Sequence, residues 1–272
     1  MSATVHRTKT VSITSGKGGV GKTTLTANIA CALAAMNKKV LILDGDLGMA
    51  NVDIFFGVKT RHNIYDVISG EKHISEIITE LTPNISLISG GSGVVELNRL
   101  NFHHRQSLLD SVSSIDHTYD YLLIDTAPGL SDNVLYLNAA AQIASVIITP
   151  DPASFADSYA LIKTLYTEYK ETHFSIICNQ VRDEIEGLSL FNRFNEVVNR
   201  FLFIGLDYWG AVAFDPSIKK NNQAQRLILK QDPYAEASKQ IMSISSRLDR
   251  SLYRANNKSG LQFFWEQVVG VA

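Results

Sequence analysis

Ten residues near the amino end, SGKGGVGKTT (15–24), constrain this chain more than any other stretch. Residues 16–23 satisfy the spacing G-x-x-x-x-G-K-[ST], which carries chemical meaning only between a strand and a helix. Both flanks meet that condition. TVSIT (10–14) reads as a buried strand and TLTANIACALAAM (24–36) as a buried helix. Gly16, Gly18, Gly19 and Gly21 allow main-chain N–H groups to close around an anion, and Val20 and Thr24 complete the cradle. The helix adds the positive end of its dipole. In such a loop Lys22 reaches toward β- and γ-phosphates, and the Thr23 hydroxyl faces Mg²⁺.

The rest of the chain repeats the strand–helix alternation. KVLILD (39–44), ISLIS (85–89), YDYLLID (119–125), SVIITP (145–150), FSIICN (174–179) and YWGAVAF (208–214) read as strands, with helices over 154–170 and 190–202. Alternation of this kind predicts an α/β fold: a doubly wound, mostly parallel sheet of about seven to eight strands, helices on both faces, of the P-loop NTPase type. With 272 residues and 45% hydrophobic content, the chain suits one large domain over 1–250. A polar joint at 251–260 and an amphipathic C-terminal helix at 261–272 complete it.

Composition excludes several function classes. The net charge of −2 is not that of a general nucleic-acid binder. The two cysteines, Cys31 and Cys178, lack metal spacing and read as buried free thiols in a reducing compartment. MSATVHRTKT lacks the apolar run of a signal peptide, and no uncharged apolar stretch is long enough to span a bilayer. A soluble, cytoplasmic protein is expected.

Two further segments supply carboxylates. LLID (122–125) ends a strand in Asp125, placed to hold Mg²⁺ through its water shell, and TAPG (126–129) follows, with Gly129 as the hinge of a phosphate-sensing turn. Asp44 and Asp46 stand two residues apart at another strand's carboxyl end, where doubly wound sheets bind ligands.

Lys17 is not needed by the cradle itself. The form KGGVGKTT resembles the deviant Walker A loop of the MinD/ParA family of ATPases. That resemblance implies ATP and Mg²⁺ as ligands and a homodimer closed around ATP, with Lys17 reaching the partner subunit's phosphates in trans. It also implies Asp46 as the residue that orients the attacking water, and Asp44 as a neighbour of the metal or a support of the loop. Asn51 becomes a switch residue, and Asn179 the reader of adenine, with the donor and acceptor that edge requires. Asp215 and Pro216 form a second adenine-side segment. The stretch DGDLGMANVDIFFG (44–57) is most similar to the flagellar-number regulators of the FlhG/FleN type. Ala50 stands where division-site MinD proteins carry arginine, and the proline–glutamine pair of partition ParA proteins is missing. The implied partners are a flagellar transcription regulator and a flagellar GTPase or switch components. MSATVHRTKT departs from the family's Gln/Ala-rich activator motif, so control of the regulator or of assembly placement is the firmer expectation.

The end of the chain has a polarity of its own. Between Lys219 and Lys258 stand nine Lys or Arg against three acids. Beyond them Leu261, Phe264, Trp265, Val268 and Val269 fall on one helical face. This tail suits an anionic membrane surface, giving reversible residence at the inner face of the cell membrane, or a groove on its own domain. Two rival readings remain: a partition ATPase whose basic stretch meets DNA, and a metabolic enzyme transferring phosphate to a small molecule.

Overall fold

Buried strands in a parallel sheet read as near-continuous apolar runs, and most central strands here do, the one before the phosphate loop instead burying Thr10, Ser12 and Thr14 on one face. The computed structural model describes residues 8–46, 52–91, 102–115, 118–251 and 260–270. Its strands are β1 (Lys9–Thr14), β2 (Val40–Gly45), β3 (Thr79–Thr82), β4 (Ile85–Ser89), β5 (Tyr121–Thr126), β6 (Ile143–Ile148), β7 (Phe174–Val181) and β8 (Asp207–Ala213). They form one eight-stranded sheet in the order β3-β4-β2-β5-β1-β6-β7-β8. Every pairing is parallel except β3 with β4. Seven strands follow the sequence reading. β3 was not foreseen, because TELT alternates too briefly to announce itself.

Alternate residues feed opposite cores. Val40 and Ile42 pack on one side of β2, Leu41 and Leu43 on the other. The first side is covered by α1 (Lys22–Ala35) and α11 (Glu236–Arg250). The second carries α3 (Ile64–Ile68), α4 (Ile74–Ile77), α5 (Phe102–Ser113), α6 (Asp132–Ala140) and α12 (Leu261–Val268). Helices α7 (Pro152–Tyr169) and α8 (Glu184–Leu202) enclose a third cluster with β6 and β7. Three short helices complete the described elements: α2 (Val52–Phe56), α9 (Pro216–Gln223) and α10 (Ile228–Gln231).

Helix α11 shows what the middle of the basic stretch builds. Ala237, Ile241, Ile244 and Leu248 are buried at helical spacing, so 236–250 is a covering helix whose charges lie on its outer face. One of those charges has a structural partner, since Arg247 donates to the Tyr208 carbonyl.

The C-terminal helix docks. Leu261, Phe264 and Trp265 are fully buried, and Val268 and Val269 nearly so, among residues of α5 and α6. Of the two seats expected for this tail, the groove on its own domain is the one occupied. Residues 252–259 and 271–272, parts of the expected joint and tail, lie outside the described residues. Cys31 and Cys178 are both free and buried, and burial pushes their thiols up to about 11 and about 12.

Candidate nucleotide-binding site

The phosphate loop sits at the carboxyl end of β1, whose neighbours β5 and β6 lie on either side of it in the sheet. That is where a doubly wound sheet opens its ligand crevice. Two glycines are required by contact, and one of them also by its turn. A Cβ on Gly16 would lie 2.2 Å from the Asp157 carbonyl carbon in α7, so the loop presses directly on that helix. Gly21 has φ 95°, and a Cβ there would meet Asn179 Nδ2 at 2.5 Å. As the N-cap of α1, Gly21 also supplies no side-chain cap, which leaves the first-turn N–H groups to an anion.

Ser15 holds the loop's two lysines in register. Its hydroxyl donates to the Lys17 carbonyl at 2.7 Å and accepts from Lys22 Nζ at 3.1 Å. Lys22 is buried, and burial lowers its ammonium pKa against the opposing pull of Asp125 and Asp46. Lys17 is half-buried and forms an ion pair with Asp151 of its own chain.

Asp125 and Asp44 are register partners on β5 and β2. Asp125 is fully buried; desolvation lifts its pKa to about 7, although hydrogen bonds from Thr23 and Thr26 and the charge of Lys22 pull the other way. Thr26 Oγ1 lies 3.2 Å from Asp125 Oδ1. Asp44 accepts from the main-chain N–H groups of Asp46 and Val52, each at 3.2 Å. Neither bond reaches the phosphate loop: Asp44 holds the residues on either side of 47–51, a job distinct from the two expected of it. That segment, including Asn51, lies outside the described residues.

The remaining expected residues fall around this centre. Gly129 has φ 97° and donates to the Ser15 carbonyl at 3.1 Å, which ties the sensing turn to the phosphate loop. Asn179 is buried and donates through Nδ2 to the Val20 carbonyl at 2.7 Å. Its Oδ1 and the second Nδ2 hydrogen are left for the adenine edge. Asp215 accepts from Ser217 N at 2.8 Å as the N-cap of α9, with Pro216 in the helix's first turn. Its observed work is capping.

A Mg²⁺-nucleotide fits this arrangement. Mg²⁺ favours one or two carboxylates plus phosphate oxygens and water over an all-protein cage. Asp125 and Thr23 offer that donor set beside an uncapped helix terminus and a buried lysine.

The model of the AAA domain family matches residues 8–176. Antiactivator FleN of Pseudomonas aeruginosa is 33% identical over 265 residues, covering 97% of this chain and 95% of that protein. The chain belongs to the MinD/ParA family of P-loop ATPases. The flagellum site-determining protein YlxH of Helicobacter pylori is 32% identical over 266 residues, 96% of this chain and 90% of its own length. Among solved structures, the septum site-determining protein MinD of Pyrococcus horikoshii, complexed with Mg-ADP, superposes with a TM-score of 0.69 at 23% identity, covering 89% and 96%. The MinD/ParA fold is thus shared with that structure, and relatedness in sequence runs to the flagellar regulators.

Four residues of the site escaped the sequence reading: Ser15, Thr26, Asp151 and Gln180. The last adopts φ 58° and donates to the Gly19 carbonyl at 3.2 Å. Ser15 and Gln180 flank residues that were singled out, and adjacency is the signal that could have found them. Thr26 and Asp151 meet their partners only through the fold.

Proposed function

We propose that this MinD/ParA-type ATPase is a dimerising switch that regulates flagellar number or placement. The observation that carries the reading is the pair of lysines on one loop. Lys22 is buried against its own phosphate cradle, while Lys17 is half-buried at the loop's edge and turned away from the cradle to Asp151. A monomeric active site has no use for the second. The names carried by its relatives, an antiactivator and a flagellum site-determining protein, support the flagellar setting.

In this reading Lys22 and the loop N–H groups hold the phosphates of ATP. Thr23 and Asp125 would hold Mg²⁺, which neutralises phosphate charge when bound. Asp46 orients a water in line with the γ-phosphorus. The water's oxygen forms a bond to phosphorus as the bond to the bridging oxygen of ADP breaks, giving ADP, inorganic phosphate and a proton. Lys17 of one subunit faces the phosphates of the other and stabilises the charge that develops. Gly129 lets the sensing turn move between the two nucleotide states.

The dimer then sets which partners are met: a flagellar transcription regulator, components of the flagellar assembly and an anionic membrane surface. The docked tail fits such a cycle. Trp265 Nε1 and Gln262 Oε1 are buried without a hydrogen-bond partner among the described residues, so docking is incomplete and the tail is held less firmly than its apolar area implies.

The test is Asp46→Ala with ATP, followed by light scattering and phosphate release. The expected variant binds ATP, does not hydrolyse it and accumulates as a dimer. A variant that binds ATP yet neither hydrolyses nor dimerises defeats the proposal.

A further inference from the structure

Thr24, the last residue of the phosphate cradle, is gripped from outside the motif. Asn222, in the final turn of α9, donates through Nδ2 to Thr24 Oγ1 at 2.9 Å. The Thr24 carbonyl accepts from Asn28 Nδ2 at 2.8 Å, and Asn28 Oδ1 in turn accepts from Leu229 N at 3.2 Å. The hydroxyl and carbonyl of Thr24 are thereby tied into one amide network reaching α9 and α10.

A hydroxyl has one proton to give. With the Asn222 amide donating to the Thr24 oxygen, that proton must point elsewhere. Helical threonines commonly return it to the carbonyl four residues back. For Thr24 that carbonyl belongs to Val20, one of whose two lone pairs is taken by Asn179. Asn222 Oδ1, meanwhile, is buried without a partner among the described residues. The reverse amide orientation would let that oxygen take the Thr24 proton. The orientation present leaves it unpaired and keeps the threonine proton for the cradle.

We infer that Asn222 is a nucleotide-positioning residue that fixes the Thr24 hydroxyl as a donor to phosphate. The inference rests on the nucleotide reading of the cradle and extends it to a helix that no phosphate-binding motif includes.

The experiment is titration calorimetry of the full chain with Mg-ADP, using Asn222→Ala, Asn222→Asp, Thr24→Val and the Ala/Val double variant. Asn222→Ala should weaken ADP about tenfold, the value of one hydrogen bond to a charged group. Thr24→Val should weaken it at least as much. The double variant should match Thr24→Val within about twofold, because the amide acts only through the hydroxyl. Asn222→Asp keeps the shape but can only accept, so it should bind ADP no better than Asn222→Ala while melting like the wild type without nucleotide. Multiplied losses in the double variant, or wild-type affinity in either Asn222 variant, overturn the inference. A wild-type chain that binds no ADP overturns the nucleotide reading itself, and this inference with it.

Discussion

The Asp151 carboxylate serves two partners at once: Oδ1 caps α7 by accepting from Ala153 N, and Oδ2 pairs with Lys17 of the phosphate loop. The lysine ammonium and the cap's N–H groups together hold the Asp151 carboxyl below the usual carboxylate range. An intramolecular anion therefore occupies the lysine that the proposed dimer needs.

Asp151→Asn separates these two jobs, because asparagine still caps a helix but carries no charge. The variant should keep its ADP affinity within about twofold and reach half-dimer with ATP at a severalfold lower protein concentration, measured by sedimentation. Lys17→Ala should bind ADP normally and remain monomeric with ATP.

Asp125 should make the nucleotide-free chain sensitive to pH in an unusual direction. Its pKa rises from 3.8 to about 7 on folding. A raised carboxylate costs nothing while protonated in both states, so stability is full below about pH 4 and declines as pH climbs through 7. The whole cost is on the order of 4 kcal/mol, at about 1.4 kcal/mol for each pH unit. Asp125→Asn should remove most of that decline in urea melts at pH 5 and pH 8, and should abolish Mg²⁺-dependent phosphate release.

Gly16→Ala and Gly19→Ala should differ sharply. A Cβ at position 16 strikes the α7 backbone, whereas one at Gly19 meets nothing within 4 Å. The first should destabilise by roughly 3 kcal/mol or more, as overpacking against main chain does, and the second by about 1 kcal/mol for its positive φ. Equal shifts in the urea midpoint would contradict the contact described.

Trp265→Phe removes the unpaired indole N–H while leaving an aromatic ring in the groove. Relief of a buried unsatisfied donor, worth about 1–3 kcal/mol, should offset much of the lost ring area. The variant should melt within about 1 kcal/mol of the wild type, far from the 3–5 kcal/mol loss typical of Trp→Ala. It should also float less with anionic vesicles and ATP.

Most of the frame was legible because its signals are local. The loop, seven strands and the first helix announce themselves by glycine spacing and by apolar runs of distinct period. The basic stretch was legible as charge but not as structure. Lys239, Arg247 and Arg250 stand on α11, and a census by sequence counts them without seeing that Ile241, Ile244 and Leu248 face the core. Asp44 shows the complementary limit. Its chemistry was legible, but its grip on Asp46 N and Val52 N joins groups that only the fold brings together. Likewise the tail's amphipathic pattern was plain, while the choice between lipid and protein depended on whether α5 and α6 leave a groove.

That groove has a thermodynamic consequence. Helix α12 packs on α6, and α6 begins three residues beyond Gly129, the hinge tied to Ser15. One rigid element thus separates the nucleotide's sensor from the seat of the tail. If ATP loosens that seat by some factor, linkage requires that anything holding the tail away from α6 tighten ATP by the same factor. A surface that captures the tail would then be read by the nucleotide site as surely as the nucleotide is read by the tail.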